Sequence, residues 1–401
     1  MPQHRCSRSA TRRSLPCASS INTVPVLTMT MKRTIVALSL LWSSSLLAQK
    51  SEVFQVPGFT PVSIAPVTAI KNQGMSGTCW CFSATSMLES EALRKNNVEL
   101  DLSEAFTVRN IYMEKAKNYV LRQGKAQFSE GGLGHDLVRA VAMYGAMPDA
   151  AYPASRDGKG IDHQGMFVAL KRYVDSIVKL PSVDLGWMMG YEALLDKYMG
   201  HPPASFGYEG KTYTPVEFAK SVMRFDASDY ISLTSFTHQP YYKPFVVQVP
   251  DNFSNGSYYN LPLDELTAVT KAALRQRYSI TWDADVSNGG FQQGQGFALF
   301  RGPNSSREKL TATATEDSAS ASERQRLYET LITQDDHLMH LVGIERSAAG
   351  KEFFLVKNSW GSVGPFKGYI LVSEPYFRIN TITLVVPKAG LPKELLAKLK
   401  L

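Results

Sequence analysis

The sequence predicts an α+β fold, with helices and strands segregated along the chain and a cleft between two lobes. Two observations carry this expectation. Between residues 79 and 145 apolar side chains recur at helical spacing, whereas from residue 230 onward short β-branched and aromatic runs take over. A third sets the scale: 401 residues, 44% apolar and 20% charged, are enough for a large core with more than one lobe, and neither an internal repeat nor a coiled-coil heptad is present.

The elements follow in chain order. Ser51 to Lys71 is rich in Pro, Val and Thr and reads as an extended arm into a turn, Asn72 to Gly77. Phe82, Met87, Leu88, Ala92 and Leu93 predict a long, largely buried helix from Cys79 to Lys95, ended by Asn96 and Asn97. A second helix is predicted over Leu102 to Lys117 with Ser103 as N-cap. A third runs from Leu133 to Tyr144, behind Gly131-Gly132, and stops at Gly145. Residues 150–230 mix helical stretches with Pro, Gly and Asp breaks and read as an inserted helical region. Strands are expected at Tyr230–Phe236, Phe245–Val249, Tyr278–Ala284, Leu338–Ile344, Phe353–Lys357 and Gly368–Val372. Between two of them, about 303–325, Ser, Thr, Ala and charges dominate, which predicts a mobile surface loop. In the tail, residues 388–401, Leu391, Leu395, Leu396 and Leu399 alternate with Lys393, Lys398 and Lys400 as in an amphipathic helix.

Charge excludes a class of function. The formal net charge is +7, but Arg5, Arg8, Arg12, Arg13, Lys32 and Arg33 all lie within residues 1–48, which hold no Asp or Glu; the remainder carries 37 basic and 36 acidic groups. A nearly neutral body offers no broad basic face for nucleic acid. The first 48 residues read as a leader. Met31, Lys32 and Arg33 form a positive start, Ile35 to Leu47 an apolar stretch interrupted by serines, and Ala48 a small residue suited to cleavage. That run is too short for a membrane anchor. Export to the periplasm or outside the cell is therefore expected. Residues 1–30 fit no part of a signal peptide, so the true start is Met31 or, alternatively, the whole segment is an Arg-rich transit peptide. The folded body over 49–387 follows, then the tail.

Cys6 and Cys17 belong to the leader, and Cys79 and Cys81 are too close to staple distant parts of the fold. A thiol becomes a strong nucleophile where a helix N-terminus and an imidazolium lower its pKa, and Cys79 stands where a helix is predicted to begin, behind the turn Gly74 to Gly77. Cys81 is expected to pack, because two residues further on it points elsewhere around the turn.

The run Asn72-Gln73-Gly74-Met75-Ser76-Gly77-Thr78-Cys79-Trp80-Cys81-Phe82-Ser83 closely resembles the active-site segment of the papain superfamily of cysteine peptidases. Two further segments match in the same order: Asp336-His337-Leu338-Met339-His340-Leu341-Val342-Gly343, and Lys357-Asn358-Ser359-Trp360-Gly361. The resemblance implies a two-lobed fold, a helical lobe beside an antiparallel β-barrel-like lobe. It implies Cys79 as nucleophile, His337 as its base, Asn358 orienting the imidazole, and Trp360 covering that pair. Gln73 and the Cys79 N–H would hold the oxyanion, and Gly131 and Gly132 would bind the substrate in extended form. His337 is preferred to His340 because six residues separate it from Gly343 and Asp336 precedes it; in a strand His340 would face the other way. The His337/His340 pair lacks the Glu and the helix of a zinc-peptidase motif, Gly294-Gln295-Gly296 lacks a dinucleotide fingerprint, and His135 is expected on an exposed helix face. Neither cofactor nor metal is called for.

Only about thirty residues separate Ala48 from Cys79, and the distance from Cys79 to His337 leaves room for an inserted domain. Both features resemble the bleomycin hydrolase and aminopeptidase C branch, as do Asp229 to Phe236, Tyr259 to Leu263 and Trp282 to Val286. That branch implies aminopeptidase action on peptides, with the chain's own C-terminus lying in the cleft to hold the substrate's α-amino group. Members of that branch are typically cytoplasmic hexamers; the leader points to export instead, with the cytoplasm as the alternative, and an oligomer is implied by the resemblance alone. The alternatives are an open-cleft endopeptidase and an inactive peptide-binding scaffold.

Overall fold

A computed structural model describes residues 54–155, 158, 160–302 and 309–401. The leader with its expected cleavage near Ala48, and residues 303–308 of the expected loop, lie outside the described residues.

The chain opens with strand β1 (Phe59–Ile64) within the expected arm and then folds a helical lobe: α1 (Cys79–Asn96), α2 (Glu104–Leu121), α3 (Gly134–Tyr144), α4 (Gln164–Ile177), α5 (Trp187–Met199) and α6 (Pro215–Ser221). Each start and stop has a local cause. Ser103 accepts the Phe106 N–H at 3.1 Å and caps α2, while Asn97 takes a left-handed conformation (φ 53°) and ends α1. Every side chain of α1 from Cys79 to Ala92 is buried, so this helix forms the spine of the lobe, packed among Met87, Leu88, Ile111, Tyr112 and Leu137. The inserted region contributes α4 to α6 and a separate hairpin, β2 (Phe206–Tyr208) with β3 (Lys211–Tyr213), that joins no other strand.

Ten of the remaining strands and β1 make one mixed sheet. They are β4 (Tyr230–Thr234), β5 (Pro244–Val246), β6 (Ser257–Asn260), β7 (Ile280–Ala284), β8 (Phe291–Gln292), β9 (Phe297–Ala298), β10 (His337–Ser347), β11 (Glu352–Lys357), β12 (Tyr369–Ser373) and β13 (Thr381–Pro387). Their order is β5-β6-β4-β13-β7-β10-β11-β12-β9-β8, and β1 pairs with the far half of β10; only β4–β6 and β9–β12 run parallel. The sheet is covered on both faces, which is why its strands read as continuous apolar runs. Leu338, Ile382 and Val385 pack on the helical lobe. Met339, Leu341, Leu384 and Val386 pack instead on α7 (Leu263–Arg275) and α9 (Glu374–Asn380), which lie in the chain between the strands.

Two expectations change. The stretch read as a loop to residue 325 ends as helix α8 (Ala321–Glu329), capped by Ser320, which accepts the Glu323 N–H at 3.1 Å. Arg324 is fully buried and donates to the carbonyls of Ser235, Arg378 and Ile379 at 2.7–3.1 Å, and Leu310 is buried too. Polar composition hid a Ser-x-x-Glu cap and a buried guanidinium. His135, expected on an exposed face, is instead clamped between the Tyr258 hydroxyl (2.6 Å) and the Ser254 hydroxyl (2.8 Å).

The tail forms helix α10 (Lys393–Leu399). Leu391, Leu395 and Leu399 are buried in the same cluster as Leu266, Ala273 and Leu274 of α7, and Lys398 pairs with Glu265 at 3.0 Å. β13 starts beside Ala284, the partner of His337, and ends beside Tyr230, so the tail leaves the sheet about 20 Å of strand from His337.

Candidate active site

Cys79 is the first residue of α1, 8% exposed. The turn before it is locked from within: the Ser76 hydroxyl bonds to both the Gln73 carbonyl (2.7 Å) and the Thr78 hydroxyl (2.6 Å). Thr78 therefore gives α1 no side-chain cap. The positive end of an 18-residue helix is left facing the cleft, where it favours a thiolate or an oxyanion. Gly74 has φ 59°, and a Cβ there would strike the Ile161 carbonyl; the inserted region lies across the turn, with Met75 N–H donating to Ile161 O at 2.7 Å and His163 N–H to Met75 O at 3.0 Å.

The sheet supplies the rest. Ser83 of α1 donates to the Met339 carbonyl at 2.6 Å, fastening the helix to β10. This brings Cys79 near the Leu338 peptide that follows His337, whose N–H favours the thiolate. His337 Nε2 is 2.8 Å from Asn358 Oδ1, and Trp360 lies over the imidazole at 4.6 Å between centroids, tilted 31°. Asn358 Oδ1 also accepts from Ser359 N–H (2.8 Å), and its Nδ2 donates to Gln293 Oε1 at 3.0 Å. Gln293 in turn donates to the carbonyls of Val363 and Tyr369. This residue was missed in the sequence, where it looks like one glutamine in a Gly/Gln-rich run; the pairing spans 65 positions and leaves no local signal. Gln73 Oε1 accepts from the Ser359 hydroxyl at 2.6 Å and its Nε2 donates to Ser76 O at 2.7 Å, leaving the second amide hydrogen uncommitted.

The competing residues are directed elsewhere. Cys81 Sγ points at Glu104 O (3.5 Å) and the Thr85 hydroxyl (3.9 Å), deep in the core. His340, on the other face of β10, meets the Ser86 hydroxyl at 3.0 Å. Among the described residues no group of three or more His, Cys, Asp or Glu is placed to hold a metal.

Gly131 and Gly132 lie beside this assembly. Trp80, next to the nucleophile candidate, packs its indole on Gly132 and donates to Glu130 O at 3.0 Å, while the Glu130 carboxylate receives the Gly77 N–H at 2.9 Å. Lys115, buried, donates to the carbonyls of Ser129 and Gly131. Burial pushes its ammonium down to about 8 despite nearby Asp251.

Burial dominates the electrostatics of both Cys79 and His337. Burial pushes the Cys79 thiol up to about 12; the Leu338 N–H opposes this, and the carboxylates of Asp251, Asp283 and Asp335 add to it. Burial pushes the His337 imidazole below its ordinary value, while the Asn358 acceptor and Asp336 pull the other way. Burial raises both Asp283 and Asp335, Asp335 to about 7, and each carboxyl disfavours ionisation of the other.

The sequence pattern of the Peptidase C1-like family matches residues 193–401, and that of the papain family cysteine proteases matches residues 61–152. Aminopeptidase G of Lactobacillus delbrueckii subsp. lactis is 24% identical over 370 residues, spanning 82% of this chain and 83% of its own. Aminopeptidase C of Lactococcus lactis subsp. cremoris is 25% identical over 396 residues, 88% of each chain. Bleomycin hydrolase of Rattus norvegicus is 24% identical over 389 residues, 84% of this chain and 83% of its own. The crystal structure of PepW from Lactobacillus rhamnosis HN001 superposes with a TM-score of 0.68 at 20% identity, over 86% of this chain and 85% of that one, so the papain-like fold is shared.

Proposed function

This chain belongs to the Peptidase C1-like family and is a cysteine peptidase; from that premise we propose that it cleaves peptides through Cys79, His337 and Asn358 by way of an acyl-enzyme. The observation that carries the assignment is the His337–Asn358 bond sealed by Trp360, set against the start of α1. Cys79 passes its proton to His337 and its sulfur attacks the scissile carbonyl. The oxyanion is held by the Cys79 N–H and the spare hydrogen of the Gln73 amide, a contribution worth about 3 kcal/mol or more in such sites. The amine leaves with the proton from His337, and water, deprotonated by the same imidazole, hydrolyses the thioester.

The bond cut is the one behind the N-terminal residue. Support comes from relatives named aminopeptidases and from the crowding of the Gly131 segment. An endopeptidase is the second reading, favoured by the tail: α10 packs on α7, and among the described residues none of its contacts is with those around Cys79. Product analysis on peptides with free and acetylated N-termini decides between them. Stepwise release of N-terminal amino acids, with acetylated peptides spared, is expected; equal internal cutting of both would establish the endopeptidase.

The leader supports action outside the cytoplasm. N-terminal sequencing of native protein is expected to find Gln49 or a near neighbour, and an intact Met31 terminus in the cytosol would refute export.

A further inference from the structure

We infer that Asp251 is the specificity residue of the cleft: its carboxylate closes the Gly131 segment to a longer peptide and receives the protonated α-amino group of the substrate's first residue. This rests on the aminopeptidase reading above and supplies the amino-group clamp.

Asp251 lies in the turn between β5 and β6. Its carboxylate sits directly on Gly131, so closely that a Cβ at Gly131 would overlap both of its oxygens, Oδ2 most deeply. Gly131 and Gly132 are where an extended substrate would lay its backbone. With a carboxylate in that place, residues further from the scissile bond have no room, while a terminal ammonium finds its counter-ion. The hydrogen bonds to Asp251 come from neutral donors and fall on the other oxygen: Oδ1 accepts from Ser129 Oγ (2.9 Å) and Gln127 Nε2 (3.1 Å). Lys115, the nearby cation, gives two of its three hydrogens to the Ser129 and Gly131 carbonyls and acts on Asp251 through its charge, without a hydrogen bond to it.

The turn is pinned rather than loose. Asn252 bonds the Val247 and Gly256 carbonyls and receives the Gly256 N–H at 2.7 Å, closing the turn on itself. Ser254 donates to Asp136 at 2.7 Å and meets His135 at 2.8 Å, tying it to α3. The Asp251 N–H donates to Asp335 Oδ2 at 3.3 Å. A carboxylate held in this way loses little freedom when an ammonium arrives. Behind it stands the second observation: Asp283, fully buried, has an Oδ1 that receives no donor from any described residue, and burial holds its carboxyl well above the usual range. Asp251 itself meets its neutral donors through Oδ1 while Oδ2 is turned onto Gly131, and it lies close enough to Cys79 to disfavour its thiolate. An N-terminal ammonium, protonated at neutral pH, would pair with Oδ2.

The test measures kcat/KM on a dipeptidyl substrate with a free amine and on its N-acetylated counterpart, for the wild type, Asp251→Asn and Asp251→Gly. The ratio of the two does not depend on how much of a variant is folded. In Asp251→Asn the preference for the free amine is expected to fall about tenfold to hundredfold, the worth of one charge-assisted bond. Asp251→Gly is expected to raise cleavage of the acetylated peptide as well. A wild type that prefers the free amine and an Asp251→Asn variant with the same preference would overturn the inference and leave the aminopeptidase reading standing. A wild type indifferent to acetylation would overturn both.

Discussion

Two sets of polar groups lie near Cys79: one of amides and hydroxyls, the other of carboxylates. In the first set, Asn358, Gln293, Ser359 and Gln73, hydrogen bonds run in a chain from His337 to the backbone of Val363 and Tyr369, with one Gln73 amide hydrogen left for the oxyanion. In the second, burial raises Asp283 and Asp335, and their closeness to each other and to Asp251 adds to the effect. A satisfied neutral network fixes geometry without favouring any ligand charge. Crowded carboxylates do the reverse, storing electrostatic free energy that a bound cation releases. The contrast assigns orientation of the catalytic imidazole to the amides and choice of substrate to the acids.

Removing the reacting groups gives the largest effect. Cys79→Ala and His337→Ala should each lower kcat/KM by about 10⁴-fold or more, with little added loss in the double variant because the two act as a unit. Cys81→Ala and His340→Ala should stay within about tenfold in active-site-titrated enzyme, since both side chains point into the core. A reversal within either pair would break the assignment. Loosening the amide side comes next. Gln293→Leu frees the Asn358 amide to turn, and kcat is expected to fall about tenfold to hundredfold with KM little changed; a rise in KM alone would show that Gln293 contacts substrate.

These predictions depend unequally on what the sequence discloses. Cys79, His337, Asn358 and Gln73 were legible because each sits in a short run whose neighbours are also chemically required, and α1 to α3 were legible through caps and stops at Ser103, Asn97 and Gly145. The central strand β13 was not read as one, although the sheet closes around it: it follows α9 with no intervening turn signal and ends at Pro387. α7 likewise went unmarked. Gln293, Asp251 and Asp335 were invisible for another reason: their partners lie 65, 122 and 84 positions away, and a lone Gln or Asp in a polar turn has many harmless uses.

The tail separates architecture from specificity. Leu395→Ala should cost about 2–4 kcal/mol in urea unfolding because Leu395 is buried against α7. Its free-amine preference should match the wild type. Truncation after Pro387 should likewise destabilise without unlocking internal cleavage; new cutting of acetylated peptides would return the clamp to the C-terminus.

The smallest effect concerns pH. Asp335 titrates near 7 in the folded state against an ordinary value of 3.8. A carboxyl raised on folding stabilises while protonated, so its contribution is full below about 4 and is lost as pH rises through about 7. Asp335→Asn cannot ionise. Relative to the wild type, its melting temperature should therefore be higher at pH 8 than at pH 5, and an equal difference at both would show that the pair is not protonated.

The most direct test of thiol catalysis is covalent. The folded protein is treated with a peptidyl epoxide carrying a free amine, digested, and mapped by mass spectrometry, with His337→Ala in parallel. One label on Cys79, strongly slowed in His337→Ala and absent from Cys81, is the predicted result; a label on Cys81, or labelling of Cys79 at equal rates in both proteins, would contradict it.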